Sequence, residues 1–519
     1  MDRKGLGDAG PGDLAVLVRG RGRARLDRVV GRVDDVQSVL EGLLVERGLR
    51  EGFEPYDPPE PSLEGRVDLR DLLAFTIDPE SAKDFDDALS VREEPEGLRA
   101  WVHIADVSHF VTAGSPLDRG AAGRAFSTYV PGHVAPMLPH ELADDLSSLR
   151  PDVDRLCVTV EFPPAGEPLF YRSVIRSRAR LTYAQAERGE AEPEVAEALG
   201  LVARLAQDLR GKRFERGALR IESSEVQFTF DGRGGVERAW RESEPHSHML
   251  VEELMILANE AVAELLASRK REAVYRVHER PDPQSVAALL AKLTDLEVPT
   301  PPEPEQMGPR EAERLAAATS ERVTRYVEQS GRGRDAFPPL VLRALKQARY
   351  DPRNLGHSGL ASPFYCHFTS PIRRYPDLVV HRVLLQEIGQ GDDTPAGDLV
   401  EIAEHASIQE RDAAKVEYLA DEICLAWLLG KELFELGWEH VFEGEITGAI
   451  GSGIFVRFGD VFEGYVPARR LPGDYFELNA SGTALVGRRG GGRYRLGDAI
   501  EVRVEKIERY EGKVELSPS

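Results

Sequence analysis

Cysteine is scarce: only Cys157, Cys366 and Cys424 occur in 519 residues, and no two stand in a CxxC spacing. That excludes a disulfide framework and a cysteine-built zinc site, and it suits a reducing cytoplasm. Long apolar runs are also missing. None approaches the roughly 18 residues that would suggest a membrane span. The N-terminal MDRKGLGDAGPGD lacks the apolar stretch of a secretory signal. Positive charge is in deficit, with 66 Lys and Arg against 89 Asp and Glu, a formal net charge of -23. Taken alone, that balance argues against a protein that coats nucleic acid. It leaves room for a basic channel within an acidic shell, and carboxylates reserved for a metal would add to the count.

The length predicts more than one core, and a composition 41% hydrophobic and 30% charged fits a soluble globular chain. Residues 1–65 read as a short basic module. GDLAVLVRGRGRARLDRVVGRV is a hairpin with arginines on one side, and a helix follows, capped by Asp34 or Asp35, with Leu40, Leu43 and Leu44 on one face. The proline-rich FEPYDPPEPSLEG is a linker. Residues 66–436 mix strands (RDLLAFTID, LRAWVHIADV) with helices (SHMLVEELMILANEAVAELLASRK, DLVVHRVLLQEIG and Val400 to Leu436), an α+β core. Residues 437–519 are short strands with Gly-rich turns, an OB-type barrel of about five strands.

TIDPESAKDFDDAL places Asp78, Asp84, Asp86 and Asp87 within ten positions. Two unit charges about 4 Å apart repel by roughly 4 kcal/mol at an effective dielectric near 20, so convergent carboxylates need an offset. Pro79 ends the LLAFTI strand just after Asp78, and a turn is required to bring the adjacent Asp86 and Asp87 to one place. All-carboxylate ligation suits Mg²⁺ or Mn²⁺, and an EF-hand fails because Lys83 and Leu89 stand where Gly and Glu are required. A solvated acidic turn would show the same spacing. In HFTSPIRRYPD, adjacent Arg373 and Arg374 cannot both face one pocket, so one is expected to meet phosphate and the other an acid, unless both are structural. Tyr129, in the rigid FSTYVPGHVAPMLP, could stack on a base or simply pack. In the barrel, Phe455, Phe458, Phe462 and Tyr465 are divided between stacking and core, and Arg488 and Arg489 sit in a flexible basic loop suited to phosphate. Cys366, beside His367, reads as structural.

TIDPESAKDFDDAL, HIADVSHFV, YVPGHVAPMLP, HSHMLVEELMILANEAVA and HFTSPIRRYPDLVVHR, in this order, resemble the catalytic domain of the ribonuclease II and ribonuclease R family, and the tail resembles its S1 domain. The resemblance covers about residues 66–519. It implies a cytoplasmic, monomeric, processive 3′→5′ exoribonuclease that hydrolyses single-stranded RNA to 5′-nucleoside monophosphates by a two-metal mechanism with Mg²⁺ or Mn²⁺. Asp78, Asp84, Asp86 and Asp87 match the metal-binding and catalytic aspartates. Arg373 matches the arginine at the scissile region, with Arg374 beside it, and Tyr129 matches the aromatic that stacks on the 3′-terminal base. Only about 65 residues precede the catalytic region, too few for the family's two cold-shock barrels. Ile221 stands where the family has its second stacking aromatic, so a looser grip on the 3′ end is expected, tightened by Ile221→Phe. The competing expectations are a catalytically silent RNA-binding regulator on the same scaffold, or a nuclease that needs no free end.

Overall fold

Apolar runs separated by turn residues between 67 and 182 build one seven-stranded mixed sheet. Its order is Ala179–Thr182, Phe75–Asp78, Asp87–Glu94, Gly97–Ala105, Asp154–Phe162, Leu169–Arg176, Val67–Asp68. The structure, a computed structural model, describes residues 9–19, 24–50, 52–220, 224–243, 246–391, 397–490 and 492–519. The sheet is buried on both faces, and successive side chains alternate between them. Phe75, Ile77, Leu89, Val102, Ile104, Val158 and Val160 pack against the helices Pro193–Glu215 and His246–Ser268. Ala74, Ala88, Ala105, Cys157 and Ile175 face the opposite way, toward Leu138, Leu142, Leu378 and Val379. The strand Phe75–Asp78 ends just before Pro79, as the missing N–H requires.

The helix Tyr375–Glu387 begins with Pro376 in its first turn, where the absent donor costs nothing. It is buried almost all round. Its Arg382 donates to Asp118 (2.8 Å) and to the Val111 carbonyl (2.6 Å), so the one fully buried guanidinium of the helix is paired. The helix Leu399–Leu436 has 38 residues, about 57 Å of continuous rise. Its C-terminal half shares one core with the barrel and the N-terminal helix Val36–Glu46, through Val416, Leu428, Leu429, Phe442, Ile454, Leu40 and Leu44. The N-terminal hairpin (Asp13–Arg19 with Ala24–Arg32) is present, and of the two candidate caps it is the Asp35 carboxylate that accepts the Ser38 N–H, at 3.0 Å.

Five strands close the C-terminal barrel in the order Phe442–Ile450, Gly453–Phe458, Phe462–Pro467, Lys513–Pro518, Ala499–Glu508. A separate three-stranded sheet (Phe476–Leu478, Ala484–Gly487, Arg493–Arg495) lies within the same stretch and was not anticipated from the pattern. Its strands are three or four residues long, below the length at which alternation is readable. The barrel rests on three helices, Pro283–Asp295, Pro309–Ser330 and Phe337–Arg343, and its Leu496 enters their core. No helix among the described residues is long and apolar enough to cross a membrane.

Candidate active site

The four aspartates are gathered at one end of the central sheet by two different devices. Asp78 closes the Phe75–Asp78 strand and Asp87 opens the neighbouring antiparallel one, so both strand ends meet at the same edge. Asp84 and Asp86 lie in the intervening loop. That loop is pinned by Ser148, whose hydroxyl donates to the Lys83 carbonyl (2.6 Å) and accepts from the Phe85 N–H (3.0 Å). Asp86 is held from its backbone, where its carbonyl accepts the Ala105 N–H at 2.8 Å, and from its side chain, where Oδ1 accepts the Ile372 N–H at 2.8 Å.

The second hydrogen bond joins the aspartate loop to the SPIRRY segment. That segment is stitched to the Tyr129 region, since Ser127 N–H donates to the Arg373 carbonyl (3.0 Å) and Tyr375 N–H to the Ala125 carbonyl (2.8 Å). The adjacent arginines divide as their opposed directions demand. Arg374 pairs with the fully buried Asp377 at 2.7 Å, while Arg373 turns to Asp86, with Nε 3.5 Å from Oδ2. Tyr129 stands on the short strand Thr128–Val130 and donates its hydroxyl to Asp84 at 2.6 Å. Its backbone N–H donates to Glu417 of the long helix at 2.8 Å.

Burial dominates the electrostatics. It pushes Asp78 up to about 6, against the Thr76 hydroxyl and Arg180. Burial and then the Asp78 charge push Asp87 up to about 7, and burial lifts Asp86 well above the ordinary carboxylate range. Such shifts state that these carboxylates are held where ionisation is costly unless a cation joins them. Oδ2 of Asp78 and of Asp86 are buried without a hydrogen-bond partner. Buried acceptors without partners are rare, and an oxygen-liganded cation satisfies them. The donor set therefore fits a hard divalent ion. Among the described residues, no three His, Cys, Asp or Glu side chains stand as close together as the ligands of a held metal. Asp84 is instead engaged by Tyr129, and Asp86 by Arg373.

The aspartates, Tyr129, Arg373 and Arg374 line one cavity of about 910 Å³. Its opposite wall carries Glu417, Asp421 and Glu422 from the long helix, Glu225 from the strand Ser224–Phe230, and Arg457 and Glu463 from the barrel. Among the other expected residues, Phe455 and Tyr465 face outward on the barrel with ring centroids 5.3 Å apart, whereas Phe458 and Phe462 are core. Phe455 lines a second cavity of about 640 Å³ that shares Arg457 and Glu463 with the first. Arg488 and Arg489 lie in the turn after the strand Ala484–Gly487, where Arg488 pairs with Glu477, and neither lines the aspartate cavity. Ile221 lies outside the described residues. Sequence reasoning missed Ser148 and Glu417. Both are ordinary residues far along the chain from what they hold, and no local signal marks them.

An RNB domain matches residues 66–390, and an S1 RNA binding domain matches residues 437–519. Ribonuclease R of Escherichia coli K12 is 36% identical over 95% of this chain, and the chain spans 64% of that protein's length. Ribonuclease R of Thermotoga maritima is 34% identical over 95% of the chain and 72% of its own. Among solved structures, Mycoplasma genitalium RNase R in complex with ribose-methylated single-stranded RNA superposes with a TM-score of 0.85 at 27% identity, covering 96% of this chain and 80% of that one.

Proposed function

From the RNB-domain family of ribonuclease R, to which this chain belongs, we propose that it is a divalent-metal-dependent 3′→5′ exoribonuclease acting on single-stranded RNA. The reading includes processive release of 5′-nucleoside monophosphates, with Mg²⁺ or Mn²⁺ as the ion, by a monomer in the cytoplasm. One observation carries it: four aspartates and Arg373 line a single cavity that residues of the long helix and of the S1-type barrel also line.

Asp78, Asp84, Asp86 and Asp87 would hold the ion through carboxylate oxygens. A bound divalent ion supplies Lewis acidity, drawing charge from a phosphoryl oxygen and making water a better nucleophile. The chain's own residues do the rest. Arg373, aimed at the same spot, offsets charge that grows on the phosphate during in-line displacement. Tyr129 presents its ring to the terminal base, and Glu417 fixes that ring's backbone. Arg374 keeps Arg373 in place by tying the segment to Asp377. Hydroxyl handles on each ribose offer the means to prefer RNA over DNA.

The test is a 5′-labelled single-stranded RNA incubated with the protein and Mg²⁺ beside Asp86→Asn. Stepwise shortening from the 3′ end that vanishes in Asp86→Asn or with chelator is the expected result. Binding without shortening, equal in both proteins, would mean a scaffold kept for holding RNA. Cutting of a circular RNA would refute the requirement for a free end.

A further inference from the structure

An RNA path must hold phosphates, yet most of the wall above the aspartates repels them. Glu225, Glu417, Asp421, Glu422 and Glu463 all line that cavity. Among the described residues, the arginines that line it are Arg373 and Arg374, beside the aspartates, and Arg241 and Arg457. Arg241 comes from the strand Val236–Ser243 of the catalytic portion, and Arg457 from the barrel strand Gly453–Phe458. Two guanidinium groups from different parts of the fold repel unless something holds them.

Asp335 holds them. Its Oδ1 pairs with Arg241 and lies 3.8 Å from Arg457 Nε. Arg457 also pairs with Glu463 at 2.9 Å. Nε of each arginine is buried without a hydrogen-bond partner, but the side chains keep 25% and 21% of their surface accessible and line the cavity, so part of each planar guanidinium stays open to an anionic oxygen.

Asp335 is itself placed by the barrel. Glu445, on the strand Phe442–Ile450, accepts four successive backbone N–H groups with one carboxylate. Gly333 and Arg334 donate to Oε2 at 3.0 and 3.1 Å, and Asp335 and Ala336 donate to Oε1, each at 3.0 Å. Arg332 closes the same turn onto the barrel, pairing with Asp498 (3.0 Å) and donating to the Leu496 carbonyl (3.2 Å). The approach is close enough that a Cβ at Gly333 would meet the Phe337 ring at 2.1 Å, and one at Gly497 would meet it at 2.5 Å.

We infer that Arg241 and Arg457 form a phosphate clamp on the RNA path, and that Glu445 is the positioning residue that sets it through Asp335. The clamp rests on the proposed action on RNA and adds to it a second anchoring point above the catalytic floor.

The test measures binding first and turnover second. In an Asp86→Asn background, the affinity for a single-stranded RNA of about 15 nucleotides is followed across a salt series. Each lost phosphate contact should reduce the slope of log affinity against log salt by about 0.7. Arg241→Gln and Arg457→Gln should each lose about that much slope, and Glu445→Gln up to about twice that, with affinity several-fold weaker. With Asp86 intact, Glu445→Gln should raise KM on this RNA and leave kcat on an RNA of about four nucleotides unchanged, a split that general loosening would not produce. Unchanged slopes in both arginine variants would overturn the clamp. Lowered slopes there with an unchanged slope in Glu445→Gln would overturn the relay. Should Glu445→Gln fail to fold, Asp335→Asn takes its place, and an unchanged slope in it refutes the relay. Salt-sensitive binding with no hydrolysis by the unaltered protein would refute the proposed function and leave the clamp standing.

Discussion

Asp421 should weaken the fold at neutral pH. It sits part-way along the Leu399–Leu436 helix, half-buried in the cavity wall. Burial, then Glu417, Glu225 and Glu422, raises its carboxyl from 3.8 to about 7. Arg241 and Arg457 line the same cavity, but neither is among the groups that offset the rise. A carboxyl whose folded pKa exceeds its unfolded one binds more protons in the folded state, so stability falls as pH rises from about 4 to about 7 and stays low above that. About three pKa units at roughly 1.4 kcal/mol each is about 4 kcal/mol. Partial exposure and salt screening reduce this to about 2 kcal/mol. Asp421→Asn removes the cost at similar shape. Urea unfolding should therefore show the variant about 2 kcal/mol more stable at pH 8 and gaining less than half of that at pH 5. An equal gain at both pH values, or a loss at pH 8, would refute the reasoning, because neither follows from relieving an ionised group among acids.

Asp86→Asn keeps the oxygen that accepts the Ile372 N–H, so the fold should hold while hydrolysis falls by at least about 10²-fold in a gel assay of labelled RNA. Removing divalent ions with a chelator should abolish shortening, and added Mg²⁺ or Mn²⁺ should restore it; activity that persists in chelator would contradict the carboxylate reading. Tyr129→Ala should weaken binding of short RNA by about 1–3 kcal/mol, whereas Tyr129→Phe keeps the ring and should stay within a few-fold of the unaltered protein. Asp118, almost fully buried, accepts from Arg382, the Tyr375 hydroxyl and the Gly114 N–H. Asp118→Ala should cost about 3–5 kcal/mol by denaturant unfolding, and a loss under about 1 kcal/mol would show the buried arginine finds another partner.

Much of the site was legible because its signals are local. A strand that ends at Asp78 is dictated by Pro79, and the divergence of Arg373 and Arg374 follows from their being neighbours. The barrel announces itself through short strands and glycine turns, and the cap of the first helix was narrowed to Asp34 or Asp35 by its place before an apolar face, with Asp35 the one that accepts the Ser38 N–H. The division of the barrel aromatics left open above follows on this strand from alternation, since Ile454, Val456 and Phe458 are core while Phe455 shares the outer face with Arg457. What no short stretch contains is the second cavity that Phe455 lines, whose other residues come from distant parts of the chain.

The kinds of groups present, and their strand ends, turns and helix faces, are written locally, since backbone sterics and apolar periodicity act over a few residues. Which of those groups meet is set by the folded chain. It brought Tyr129 to Asp84 and Glu417, the Ile372 N–H to Asp86, and the Glu445 carboxylate to the backbone of residues 333–336. Those contacts join residues tens to hundreds of positions apart. They depend on the packing of the whole chain, which settles distances that no short stretch of sequence contains.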